Sequence, residues 1–352
     1  MKIIAYHLPQ FHEIPENNEW WGDGFTEWTN INKPNKVGGD LQPLLGQYNM
    51  LDKNTLIMQT ELAQKYGIYG FCYYHYWFEG KKLLEKPVEL LLKEKDINQK
   101  YCFCWANHSW FRSWQGSKEM LIEQTYGTEK QWSEHFDYLK DFFVDERYIK
   151  IDNKPFLGIF IGNFEIAIEM YHFFDKKCKE IGFDGIHWVA SWHLNKNSNP
   201  TKEQCSAVMM REPTVSFKAS ICTRAINKFR RIFRKYLPPR FAVEKYSPKV
   251  IMNNALKKMK DFDCGMDFYL GAYSMWDNTY RHNERGYIIK KPSAKLFYKY
   301  ISGLNQIAKE RNIEYCFFNA WNEWCEGMIL EPDTKNGYFF LDIIKKVVDK
   351  NK

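Results

Sequence analysis

Residues 315–327 read YCFFNAWNEWCEG: an apolar run with one asparagine near its end, then two glutamates three apart among asparagine, tryptophan and cysteine. The first half has the length and composition of a buried strand. Unpaired carboxylates do not belong inside such a strand. Residues 319–321 therefore end it, and NEWCEG opens the loop beyond.

Working outward, the same kind of run recurs as KIIAYHL (2–8), GIYGFCYYHYW (67–77), YCFCWAN (101–107), PFLGIFI (155–161), IHWVASW (186–192), SAVMMR (206–211) and FYLGAYSMW (268–276), eight in all. Residues 54–66, 83–95, 129–143, 164–181 and 293–311 place apolar side chains three and four apart and are predicted amphipathic helices. Near-continuous apolar strands alternating with helices indicate a parallel sheet covered on both faces. Eight such units predict an α/β protein with a single (β/α)8 TIM-type barrel across residues 1–352, carrying long βα loops and one inserted basic helical segment at 214–260. An open doubly wound sheet fits less well, because HLPQFHEIPENN follows the first strand where a glycine-rich turn would stand.

Aromatic residues make up 17% of the chain, with 13 Trp and 22 Tyr, many beside His, Asn and Glu. Such mixed clusters suit sugars, which offer C–H faces for stacking and hydroxyls for hydrogen bonds; a large core whose Tyr and Trp tips find local partners is the plainer account. The nine cysteines follow no paired CxxC spacing and no small disulfide framework, which suggests reduced thiols in a cytoplasmic setting. The start, MKIIAYHLPQ, is too briefly apolar for a signal-peptide core, and no apolar run is long enough to span a bilayer. The net charge of +7 is concentrated: residues 218–249 hold ten basic side chains against one acid, so that segment carries +9 and the remainder −2. A nearly neutral body argues against nucleic acid as the partner.

In barrels of this kind chemistry sits where strands end. The ends of six runs supply His7 and Gln10; His75, Tyr76 and Trp77; Trp105, Asn107 and Trp110; Trp192 and His193; Trp276, Asp277 and Asn278; and Trp321, Asn322, Glu323 and Glu326. They suggest one aromatic, hydroxyl-recognising pocket. Two carboxyl groups flanking a scissile bond are the minimum equipment for glycoside hydrolysis. Glu323 and Glu326 are the candidates, with Glu331 a third acid nearby.

NEWCEGMILEPD (322–333) resembles the motif of glycoside hydrolase family 99 and its WbsX-type relatives, proteins encoded with bacterial polysaccharide genes. YHLPQFHEIPENNEWWGDGFTEWTNI, YGIYGFCYYHYWFEGKKLLEKP, FCWANHSWFRSW, ERYIKIDNKPFL and SMWDNTYR extend the resemblance in order over nearly the whole chain. It implies a (β/α)8 barrel acting with retention on α-mannosides from within a glycan. Glu323 would deprotonate the sugar's own 2-hydroxyl, which attacks the anomeric carbon, and Glu326 would protonate the leaving oxygen. Cys325 departs from the histidine often found there in the hydrolases. The WbsX relatives are commonly labelled glycosyltransferases, so transfer to a sugar acceptor and use of a nucleotide sugar both stay open, as does a glycan-binding protein without turnover.

WWGDGFTEW (20–28) places Trp21, Glu27 and Trp28 in a long loop that either lines a sugar subsite or plugs the barrel with its own aromatics. Asp277 and Arg281, in WDNTYR, either bind hydroxyls or pair with each other. His7 and His75 read as neutral hydrogen-bonding groups, since no HxH or HExxH spacing accompanies them, so neither a metal nor another cofactor is expected. Asp261-Phe262-Asp263 is a literal DxD, a short match that precedes a strand instead of ending one. TRAINKFRRIFRKYL (223–237) puts Ala225, Ile226, Phe229, Ile232, Phe233 and Tyr236 on one helical face with basic residues around the rest. That helix either lies on an anionic membrane surface or packs its apolar face on the barrel. The expected partner is an oligosaccharide or lipid-linked glycan, met in the cytoplasm or at the inner face of the membrane.

Overall fold

A computed structural model describes residues 1–35, 37, 41–112, 119–162, 164–192 and 199–350. Its frame is eight parallel strands, β1 Lys2–His7, β2 Ile68–Phe78, β3 Lys100–Trp105, β4 Lys154–Ile159, β5 His187–Trp192, β6 Ala207–Met210, β7 Asp267–Tyr273 and β8 Tyr315–Asn319. Each pairs with the next in sequence. β8 returns to β1 in register Lys2↔Tyr315, which closes the barrel. All eight apolar runs are strands of this barrel, because burial on both faces is what a barrel strand between a filled interior and a helix layer requires.

The outer ring comprises α1 Lys53–Lys65, α2 Lys86–Lys93, α3 Glu129–Phe143, α4 Phe164–Glu180, α5 Pro248–Asp261, α6 Ala294–Glu310 and α7 Phe339–Asp349. The five helices expected from periodicity are α1 to α4 and α6. α5 begins inside the segment 214–260 and buries Ile251, Met252, Ala255 and Met259, so the last quarter of that segment is part of the barrel's own ring. α7 buries Phe340, Leu341, Ile344 and Val347 and covers the closing strands.

Large side chains fill the interior. Tyr6 of β1 stacks on Tyr74 of β2 with centroids 5.5 Å apart, Phe156 of β4 stacks on Phe317 of β8 at 5.2 Å, and the Tyr6 hydroxyl donates to Met209 Sδ of β6 at 2.6 Å. Where β7 meets β6, a Cβ on Gly271 would stand 1.6 Å from the Met210 carbonyl oxygen, so only glycine lets the two strands approach. The residues that leave β6 at that level are Arg211 and Glu212.

Beyond the strand ends, Trp276–Asp277 pairs with Tyr287–Ile289, which pairs with Glu244–Tyr246. This small sheet joins a wall of the central cavity to the basic helix Ile221–Ile232. The helix is anchored through Asn227, whose amide exchanges two hydrogen bonds with the backbone of Lys245, both 3.1 Å. Its apolar face points outward: Ile226, Phe229 and Ile232 are 52%, 54% and 62% exposed, and Tyr236, in the turn beyond, is 83% exposed. Among the described residues no helix is long and apolar enough to cross a membrane.

Candidate active site

A cavity of about 570 Å³ opens at the carboxyl ends of the strands. The loop after β8 supplies its acids. Asn322–Glu323 pairs antiparallel with Met328–Ile329, and a 3-10 turn, Trp324–Glu326, joins them. Trp324 and Cys325 point inward and are fully buried, which leaves Glu323 and Glu326 to face the cavity. Gly327 closes the turn at φ 57°, and a Cβ there would come within 3.0 Å of Asp277 Cβ. The turn is thereby held against the loop after β7.

That second loop supplies the counter-charge. Asp277 Oδ1 accepts from the backbone N–H and the hydroxyl of Thr279, at 3.1 and 2.5 Å, and shapes the short helix Thr279–His282 that delivers Arg281. Arg281 Nη1 donates to Glu326 Oε1 at 2.9 Å, while Nη2 reaches Glu27 Oε1 at 3.2 Å and Glu323 Oε2 at 3.4 Å. One guanidinium thus gathers three carboxyl groups from two loops. Burial, then the neighbouring Glu326 charge, pushes the Glu323 carboxyl up to about 8, against the pull of Arg281 and Arg211. At neutral pH Glu323 keeps a proton while Glu326 holds the shortest bond to the arginine.

Of the sequence candidates, Gln10, Trp21, Tyr76, Trp110, Trp192, Trp276, Arg281, Glu323 and Glu326 line the cavity. The other described candidates stand off it. Glu331 lies beneath: its Oε1 accepts from Gln59 (2.8 Å) and the Trp321 indole (2.9 Å), its Oε2 from Tyr48 and the Trp324 indole (both 2.8 Å). Burial pushes its carboxyl up to about 7 against those four donors. With all four acceptor directions used it has none left for a ligand, and Trp321 is its donor, not a stacking platform. Asn322 accepts from Leu8 N at 2.8 Å and donates to Leu8 O at 3.0 Å, sewing the β8 loop to β1. His7 bonds Gln59 at 3.0 Å, and burial lowers it to about 3.

Strand alternation explains further departures. In β2 the side chains of Tyr74 and Tyr76 enter the cavity, so His75 and Trp77 face the helix layer. There the His75 and His135 rings meet Nε2 to Nε2 at 2.8 Å, and Trp77 stacks on His135 at 4.4 Å. Trp105 packs edge-on to His135 in the same layer. Asn107 ties two loops through Ile161, accepting at 2.8 Å and donating at 2.7 Å. Trp28 belongs to an aromatic plug with Phe11, Tyr48 and Trp324, whereas Trp21 of the same loop lines the cavity. Glu27, fully buried, reaches the site only through Arg281, and Asp277 acts on the turn and makes no pair with Arg281. His193 lies outside the described residues. The DxD stands in the turn before β7, with Asp263 Oδ1 taken by Gly265 N at 2.9 Å.

Tyr74, His108, Phe160, Arg211, Glu212 and Asn319 line the cavity as well. Arg211 ends SAVMMR and Glu212 follows it directly, so the strand-end rule applied to that run would have found them. Asn17 Nδ2 and Oδ1, Trp276 Nε1, His108 Nδ1 and Glu212 Oε2 are buried polar atoms with no hydrogen-bond partner among the described residues. A cavity with an aromatic wall, such polar atoms and a carboxyl pair is equipped for a hydroxylated ligand and for proton transfer to and from oxygen.

A family model described as "Glycosyltransferase WbsX" matches residues 3–344. Two curated relatives, each described as uncharacterized protein WxcX, from strains B100 and ATCC 33913 of Xanthomonas campestris pv. campestris, are 28% identical over 359 aligned positions. The alignment covers 99% of this chain and 50% of theirs, so the chain spans about half the length of the curated relatives it matches. A solved structure described as a glycoside hydrolase-like protein superposes with a TM-score of 0.61 at 12% identity, over 98% of this chain and 93% of its own. A family 99 endo-alpha-mannosidase from Bacteroides thetaiotaomicron gives 0.59 at 13% identity, over 99% and 96%. At those identities the likeness is one of fold.

Proposed function

The chain belongs to the WbsX family of carbohydrate-active enzymes, and from that premise we propose that it cleaves or transfers a glycosidic bond, with Glu323 and Glu326 as its acid–base pair. The observation that carries this reading is the shared arginine: two carboxyls on one turn, facing an aromatic cavity, bound by Arg281 with unequal strength. A pair of this kind holds one proton between two sites, which is the state that acid–base work on a glycosidic oxygen requires. At rest the proton sits on Glu323. With that proton passed to Glu326, Glu323 is free to act as base toward a hydroxyl and Glu326 to protonate the leaving oxygen. The substrate we propose is an α-linked, mannoside-like glycan of cell-surface polysaccharide production, O-antigen among them, with retention of configuration.

The test is mass spectrometry of the purified protein and its Glu326→Gln form with α-linked aryl glycosides and lipid-linked oligosaccharides, without metal or nucleotide sugar. Cleavage or sugar exchange that vanishes in the variant supports the reading. Turnover that requires a nucleotide sugar and survives Glu326→Gln refutes it. Because the pair works with one proton, kcat/KM should fall as pH rises through about 8 and that last proton is lost.

The exposed apolar face of the basic helix supports a second element, peripheral contact with an anionic membrane at the cytoplasmic face. Arg224, Lys228, Arg230 and Arg231 flank that face, and the helix joins, through the small sheet, the loop that carries Trp276 into the cavity. Co-sedimentation with anionic vesicles should weaken as salt is raised; equal recovery with neutral vesicles would exclude the contact.

A further inference from the structure

The cavity holds a second cation that nothing in the acid–base reading uses. Arg211, at the end of β6, lies with its guanidinium 4.0 Å above the centre of the Phe160 ring and 5.1 Å from that of Tyr6. Nη2 donates to the Tyr74 hydroxyl at 3.2 Å, whereas Nη1 is buried with no hydrogen-bond partner among the described residues. The other two deeply placed arginines are paired with carboxylates. Arg281 binds three glutamates, and Arg147 binds both oxygens of Asp145 and four backbone carbonyls. Glu212, next in the chain, does not neutralise Arg211: its Oε1 takes the Ser216 hydroxyl at 2.6 Å, and burial pushes its carboxyl up to about 7. Beside Arg211, His108 packs on the same Phe160 ring, with centroids 5.0 Å apart, and its Nδ1 is likewise buried with no hydrogen-bond partner among the described residues.

An unpaired guanidinium in a half-closed aromatic cavity bears a desolvation cost that an anion meeting it would offset. A neutral glycan would leave that charge uncompensated. We propose that the sugar bound between Arg211 and His108 carries an oxyanion, a carboxylate or a phosphate ester, and that Arg211 Nη1 donates to it. The proposal rests on the cavity being a sugar site and adds the substrate class. Guanidinium suits this role because it stays charged and presents donors in a fixed plane that matches either oxyanion. The ring positions of the supporting residues agree with a subsite distinct from the carboxyl pair: His108 and Phe160 follow β3 and β4, and β4 is four strands from β8 in the eight-strand ring.

The experiment measures binding, not turnover, so that it stays separate from the test of the acid–base pair. Calorimetric titration of the Glu326→Gln protein would compare methyl α-hexopyranosides of gluco, galacto and manno configuration with their uronoside and 6-phosphate counterparts. One anionic series should bind about tenfold or more tightly than its neutral counterpart, as a charge-assisted hydrogen bond implies. Which series does so separates carboxylate from phosphate. In Arg211→Met on the same background the ratio should fall to about one, and Arg211→Lys should restore part of it. Equal binding of neutral and anionic sugars overturns the proposal without any variant. A ratio unchanged by Arg211→Met does so too, as does a loss shared equally by neutral and anionic sugars, which would assign the charge to Glu323 instead. Turnover of neutral glycans with no anion preference would sink this inference and leave the acid–base reading standing; anion binding without turnover would do the reverse.

Discussion

Glu323 and Glu331 stand eight positions apart on the same stretch of chain, both desolvated and both pushed up, to about 8 and about 7, yet their surroundings differ in kind. Four neutral donors close on Glu331 and sew the loop after β1, α1 and the β8 loop together around it. Glu323 has one arginine nitrogen at 3.4 Å and a cavity in front of it. A raised carboxyl therefore marks burial; what separates a structural acid from a candidate catalytic one is the hydrogen-bonding capacity left over.

The sharpest way to break that comparison is to change each acid to glutamine. Glu326→Gln and Glu323→Gln should each cost about 10²–10⁴-fold in turnover with the folded state intact by circular dichroism, since each removes a proton-transfer group and no packing. Normal turnover in either would place both glutamates with Glu331. Glu331→Gln should instead lower stability by about 1–3 kcal/mol in urea unfolding, because an amide NH₂ then faces two of the groups that had donated to a carboxyl oxygen. An unchanged midpoint would mean that the four-donor cage is not holding the loop.

The same pair sharpens the comparison through pH. The folded Glu331 carboxyl sits near 7 against an ordinary value of 4.5, so between those values the native state binds the extra proton. Its contribution to stability is complete below about 4.5 and is lost as pH rises through about 7. The stability gap between wild type and Glu331→Gln should therefore narrow from pH 5 to pH 8. A gap that is flat with pH would show that Glu331 titrates alike in both states.

How much of this was legible follows from the physics of each feature. The eight strands could be read because a barrel strand is buried on both sides and leaves an unbroken apolar run. The acid pair could be read because carboxylates directly after such a run have to leave the core. The assignment of His75, Trp77 and Trp105 to the pocket failed because proximity to a strand end does not say which way a side chain points; β2 alternates, and only Tyr74 and Tyr76 turn inward. Asn107, Asn322 and Glu331 were indistinguishable from ligand-binding groups, because a loop tie and a sugar contact use the same donors and acceptors. Arg211 lay at the end of a run whose last residue was counted with the strand, and no local pattern says that a guanidinium will lack a carboxylate.

That alternation supplies the smallest and most discriminating test, on neighbours in β2. Tyr76 faces the cavity, and its hydroxyl has no part in the core hydrogen bonds, so Tyr76→Phe should raise KM by a few fold, about 1 kcal/mol, and leave the unfolding midpoint in place. His75 faces α3, where its Nε2 meets that of His135 at 2.8 Å, and burial holds both rings neutral by pushing them far below the ordinary histidine value. His75→Phe keeps the aromatic stack but leaves the His135 nitrogen without its partner, so stability should fall by about 1–2 kcal/mol while KM and kcat stay within twofold. The two substitutions are adjacent in sequence and similar in size, so their effects can separate only if the strand directs one side chain to the substrate and the next to the helix layer. A rise in KM from His75→Phe with the midpoint unmoved would reverse the facing of β2 and take Tyr74 and Tyr76 out of the site with it.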